Sequence, residues 1–155
     1  MKLQLQRKPE IQDYSEEWQN MPFFDLTFAM FDCVSTHDFS RLAQICDDDY
    51  GIIDINPEGG SEVIRDREGW ENWFKSLFAR LEQMNAETWS EITHYEYLKS
   101  DNMGYSVVNF DQILKVNDQT HRFAVLATII WKKEGSEWKE SRYHSSLIGV
   151  KKEEG

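Results

Sequence analysis

Tyr105–Gly149 reads YSVVNFDQILKVNDQTHRFAVLATIIWKKEGSEWKESRYHSSLIG, and two turn signals divide it. Asn117-Asp118 separates a first β run from a second, and Glu134-Gly135-Ser136 separates the second from a third. Each run is about a dozen residues, so each strand reaches ~40 Å at ~3.3 Å per residue. Strands of that length twist and bend, and a bent sheet has a concave side that must be filled. The filling lies upstream, in three helical segments.

Phe23–Ser35 is apolar on nearly every side, which marks a helix buried inside the curve of the sheet. Pro22 suits its first turn. Asp38 caps a second, short helix over Phe39–Cys46. The acids Asp47, Asp48 and Asp49 read as a solvated connector. Residues 50–55 form a short strand, 56–60 a turn, and Glu62–Arg65 a strand pairing back. Asp66 caps a third helix, Arg67–Met84, with Trp70, Trp73, Phe74, Leu77, Phe78 and Leu81 at helical spacing on one face. That stripe reads as core. Trp89–Leu98 is the strand that leads into the long meander.

The chain is expected to comprise a polar arm over 1–22, one domain over 23–150 and a charged tail over 151–155. Its 155 residues are 40% hydrophobic and 14% aromatic, ample for one core. The formal net charge of −11 repels phosphate backbones and anionic membranes, so neither nucleic acid nor membrane is an expected partner. No apolar run resembles a signal peptide or a membrane span. Cys33 and Cys46, both placed in helices, read as buried free thiols in a reducing cytoplasm. No spacing calls for a metal, and no cofactor is expected.

Helices first, a short hairpin around the third helix, then long antiparallel strands: this order resembles the nuclear transport factor 2-like superfamily. That superfamily includes SnoaL-like and ketosteroid isomerase-like proteins. The sharpest local match is Thr128-Ile129-Ile130-Trp131, then Glu134-Gly135, then Trp138 to Ser146, an aromatic–His–x–Ser ending. The association domain of calmodulin-dependent kinase II carries a similar run. The resemblance implies an α+β cone: a strongly curved, mixed-to-antiparallel sheet wrapped around helices, with an internal pocket. Several relatives carry an arginine in the strand where this chain has Ile129, so anion binding by that route is not implied.

Strand alternation offers two faces. One set holds Trp89, Thr93, Tyr95, Tyr97, Tyr105, Val107, Asn109, Asp111, Phe123, Val125, Ala127, Ile129, Trp131, Tyr143, Ser145 and Leu147. The other holds Ile92, His94, Glu96, Leu98, Ser106, Val108, Phe110, Gln112, Arg122, Ala124, Leu126, Thr128, Trp138, Glu140, Arg142, His144 and Ser146. Pockets are mostly apolar with a few placed polar groups, so the first set is read as the concave face. On that reading Phe28, Asp54, Tyr95, Asn109, Asp111, Trp131, Tyr143 and Ser145 line a pocket for a small apolar or amphipathic molecule. Asp111, raised in pKa by an aromatic cavity, or His144 is the candidate general base. The plainer reading puts Asp111 at a solvated mouth and gives His144 a partner in Glu140 or Glu96. The second set, with Ile92, Val108, Leu126, Ile130, Trp138 and Arg142, reads as the surface of a homodimer. The chain is therefore expected to be a non-catalytic ligand-binding or association domain. The alternative is an isomerase, cyclase or dehydratase.

Overall fold

A computed structural model describes residues 7–55 and 61–153. Among the described residues, four α-helices precede or interrupt the sheet: α1 (Glu16–Gln19), α2 (Phe24–Thr36), α3 (Phe39–Ile45) and α4 (Arg67–Gln83). The strands are β1 (Cys46–Ile55), β2 (Ser61–Ile64), β3 (Glu87–Lys99), β4 (Met103–Val116), β5 (Gln119–Glu134) and β6 (Glu137–Glu153). Among the described residues they form one sheet in the order β2-β1-β6-β5-β4-β3. All neighbours are antiparallel except β1 and β6, which run parallel. The α+β architecture and the meander follow the expectation. The expected turn over 56–60 lies outside the described residues.

Both anticipated caps form. The Asp38 carboxylate accepts from Arg41 N at 3.2 Å, and the Asp66 carboxylate accepts from Gly69 N at 2.8 Å, each meeting an otherwise unpaired first-turn donor. α2 packs on the sheet through Phe24 against Tyr95, ring centres 5.0 Å apart, and Phe31 against Phe110 at 4.6 Å. The α4 stripe turns Trp70, Phe74 and Phe78 into the same core, where Trp70 meets Phe39 of α3 at 5.5 Å. Arg67 fastens the start of α4 to the end of α3 and the start of β1. Its guanidinium donates to the carbonyls of Ala43, Cys46 and Asp47 at 2.8–3.1 Å.

Several boundaries differ from the reading above. β1 begins at Cys46, so Cys46 opens a strand and the three acids lie within it. Asp47 is buried with its carboxylate 3.5 Å from Lys132 Nζ, which is how a strand tolerates it there. The described part of the expected arm, residues 7–22, packs against the domain. Ser15 caps α1, Tyr14 is buried, and its hydroxyl accepts from Ile92 N at 2.9 Å on the outer strand β3. The last strand continues past the expected tail boundary to Glu153.

Candidate functional site

Register decides which side chains share the concave face. Asn117 and Asp118 both have positive φ, as a two-residue hairpin turn requires, and Val116 stands opposite Gln119. β4 and β5 pair without a break, so Phe110 is opposite Val125, Val108 opposite Ala127 and Ser106 opposite Ile129. These are the buried, helix-facing positions. The concave face of β4 is therefore Ser106, Val108, Phe110 and Gln112, and Tyr105, Val107, Asn109 and Asp111 point the other way. The concave set is correct for β5, for Tyr143, Ser145 and Leu147 of β6, and for Tyr95 and Tyr97 of β3. It is wrong for β4 and for Trp89. Ile92 and Val108, assigned to a dimer surface, are buried in the core at 1% and 0% exposure.

At one end of the concave face, Tyr95 and Trp131 do come together, on a hydroxyl that sequence reasoning put on the outside. Trp131 Nε1 donates to Ser106 Oγ at 2.9 Å, and Tyr95 Oη lies 2.9 Å from the same oxygen. Tyr95 Oη also donates to the Pro22 carbonyl at 2.6 Å. Tyrosine has one hydrogen, so Ser106 is the donor to Tyr95 and every polar atom in the group is used. Burial pushes the Tyr95 phenol up to about 12. Phe23 closes this end by stacking on Trp131, ring centres 5.7 Å apart.

Along β6 the helix-facing positions are Tyr143, opposite Ile129, Ser145, opposite Ala127, and Leu147, opposite Val125. Ser145 is buried, Tyr143 half-buried against the core, and Leu147 is 38% exposed although it faces inward. Half-buried Phe123 lies on the same face of β5. An inward-facing apolar residue that meets solvent marks where the concave side opens. Glu140 joins this face too, fully buried. The hairpin register puts Trp131 opposite Glu140, ahead of the bulge that sets Ile130 opposite Arg142, and the Cys46 thiol donates to the Glu140 carboxylate at 3.6 Å. Burial, then that carboxylate, hold the Cys46 thiol well above its ordinary range. Both cysteines are buried free thiols.

The remaining predicted residues stand apart. Asp111, 2% exposed, is on the opposite face, with Oδ2 3.1 Å from Arg122 Nη1, which also donates to Glu91 at 2.9 Å. Paired with Arg122 on the face away from the helices, Asp111 is not turned toward the concave side, where a base acting on a ligand would have to sit. Half-buried Asn109 shares that face. His144 is exposed there, opposite Thr128, with Glu140 turned to the other side. Phe28 is half-buried on α2 and meets the Tyr14 ring at 6.2 Å. Asp54 lies on β1 opposite Glu62, and its side chain is outside the described residues. Among the described residues, no three His, Cys, Asp or Glu are grouped to hold a metal ion.

The inward placement of Ser106 and Glu140 had a signal. A two-residue turn at Asn117-Asp118 pairs even positions of β4 with odd positions of β5. The same rule at Gly135-Ser136, where Glu134 pairs with Glu137, puts Lys133 opposite Trp138 and Trp131 opposite Glu140. Nothing in the sequence announces the bulges after Ile92 and beside Val125.

The chain belongs to the SnoaL-like domain family, whose model matches residues 25–150. Solved structures share the fold at low identity. Hexachlorocyclohexane dehydrochlorinase LinA-type3 from Novosphingobium barchaimii LL02 is 16% identical, with 84% of this chain and 87% of that chain covered and a TM-score of 0.66. A candidate scytalone dehydratase from Novosphingobium aromaticivorans DSM 12444 is 10% identical, with 84% and 85% covered and a TM-score of 0.67. A candidate calcium/calmodulin dependent protein kinase II association domain from Xanthomonas campestris is 16% identical, with 94% and 97% covered and a TM-score of 0.65. No curated protein sequence matches the chain. The fold thus serves both enzymes and association domains.

Proposed function

We propose that this chain is a non-catalytic domain that binds a small apolar or amphipathic molecule on the concave side of its sheet and associates as a homodimer. The observation that carries the reading is the division of the two faces. The inward face along β5 and β6 is apolar and aromatic around two buried polar groups, the Ser145 hydroxyl and the Glu140 carboxylate that accepts from Cys46, and opens at Leu147 and Phe123. Asp111 and His144 are on the other face. The isomerase, cyclase or dehydratase alternative needs a base turned toward the ligand, and neither candidate supplies one. The free buried thiols suit a reducing compartment, and we place the protein in the cytoplasm.

The outer face supports self-association. Leu98, Met103 and Tyr105 are exposed beside half-buried Val107, Leu126 and Ile130. Glu96 lies toward the β3 side of this patch, and Arg142 and His144 lie on its β6 side. A second copy turned about a two-fold axis sets the β3 side over the partner's β6 side, acid toward base.

Binding is tested with the dye 1-anilinonaphthalene-8-sulfonate, read by fluorescence. Leu147→Asp is expected to weaken binding by about ten-fold, near 1.4 kcal/mol, while His144→Gln leaves it unchanged. Equal binding by wild type and Leu147→Asp would refute the placement of the ligand.

A further inference from the structure

Phe23 is held in a conformation that its side chain does not favour. It precedes α2 at φ 68° and ψ −1°, in the left-handed region, and makes no side-chain capping hydrogen bond. For a bulky residue that is a genuine outlier, and outliers of this kind persist where the surroundings hold them. The surroundings are a slot fitted to the ring. The Phe23 ring lies nearly parallel to Trp131, at 13°, and edge-on to Trp138 at 5.0 Å. The remaining wall is Gly104, where an added Cβ would stand 2.7 Å from the Phe23 ring carbons. Beside the slot the Tyr95 hydroxyl donates to the Pro22 carbonyl, and Ser106 and Trp131 are bonded behind it. Lys99 and Lys133 stand over the Trp138 ring, 5.8 and 6.0 Å from its centre.

We propose that this slot is a binding site for a small aromatic carboxylate, and that Met21–Phe24 is a displaceable plug occupying it. A free aromatic ring takes the place of Phe23 between Trp131 and Gly104. Its carboxylate accepts the Tyr95 hydroxyl in place of the Pro22 carbonyl, and the two lysines favour an anion at the rim. Displacement lets residue 23 leave the left-handed region, which lowers the cost of opening. The plug competes with the ligand, so the observed affinity is the intrinsic one reduced by the open fraction. The site is separate from the opening at Leu147 and does not depend on it.

The test is titration of the 15N-labelled wild-type chain with phenylacetate, reading the indole N–H of Trp131, assigned by its loss in Trp131→Phe. A saturable shift is expected, much weaker with cyclohexylacetate, which has the charge without the flat ring. Phe23→Ala is expected to bind about ten-fold more tightly and Tyr95→Phe about ten-fold more weakly. If Phe23→Ala does not fold, Phe23→Leu, which still vacates part of the slot, is expected to bind more tightly than wild type. Absence of a saturable shift in the wild type at ~10 mM overturns the proposal, even if Phe23→Ala binds, because any carved cavity admits a benzene ring. Equal response to cyclohexylacetate, or unchanged binding in Tyr95→Phe, overturns it as well.

Discussion

Arg122 is 3% exposed and bonds two carboxylates, Glu91 at 2.9 Å and Asp111 at 3.1 Å, both also buried. Removing a buried counter-ion leaves charges that water cannot reach. Arg122→Met should therefore cost ~3–5 kcal/mol in urea denaturation at pH 7. Asp111→Asn leaves Glu91 in place and should cost less, about 1–3 kcal/mol. A more stable Asp111→Asn protein would show a carboxylate carried at a cost, as a general base would be. Burial also raises Cys33 to about 11 and Tyr95 to about 12, and lifts Tyr14 further. Unfolded thiols and phenols ionise near ~8.5 and ~10. Folded values above unfolded ones mean stability that is whole below the unfolded pKa and lost as pH rises through the folded one. The urea midpoint should begin to fall above pH ~9 and keep falling through pH ~12, less steeply in Tyr95→Phe. A midpoint flat up to pH ~11 would contradict the burial of these groups. The pairing of Asp111 with Arg122 could not be read from the sequence, because opposite charges on neighbouring strands also occur on solvated faces.

At the scale of elements, α4 shows what the sequence makes plain. Its cap, its stripe of Trp70, Phe74 and Phe78 and its length all point one way, and the helix ends one residue before the expected Met84. Asp66→Ala removes the acceptor for Gly69 N and should cost ~1 kcal/mol, measured by thermal or urea unfolding. No change would mean that the cap bond is made equally well by water. β4 shows what the sequence leaves ambiguous. Tyr105 and Val107 on one face are as apolar as Val108 and Phe110 on the other, so period-two patterning alone cannot choose between them. Turn length could choose, because a two-residue hairpin ties β4 parity to that of β5. Bulges remain hidden, since one extra residue leaves no mark on composition. That is why β6 turns Glu140 inward and Arg142 outward within three residues.

For the whole molecule, the aromatic core and the long meander were legible because length, turns and hydrophobic runs agree. The candidate site was legible in part. Tyr95, Trp131, Tyr143 and Ser145 do face the helices, while Asp111 and Asn109 were misplaced by a single strand's parity. The outer face, with Leu98, Tyr105 and Ile130, predicts a dimer mass by light scattering at micromolar concentration. Tyr105→Glu with Ile130→Lys should give a monomer. A monomeric wild type would remove the association half of the proposal. The central claim is that the ligand binds on the concave side. Its most direct test is to map the amide and methyl shifts caused by 1-anilinonaphthalene-8-sulfonate across the labelled protein. Binding there gives shifts concentrated at Phe123, Tyr143, Ser145 and Leu147, with Asp111 and His144 unmoved. Shifts confined to Leu98, Tyr105 and Ile130 would contradict it.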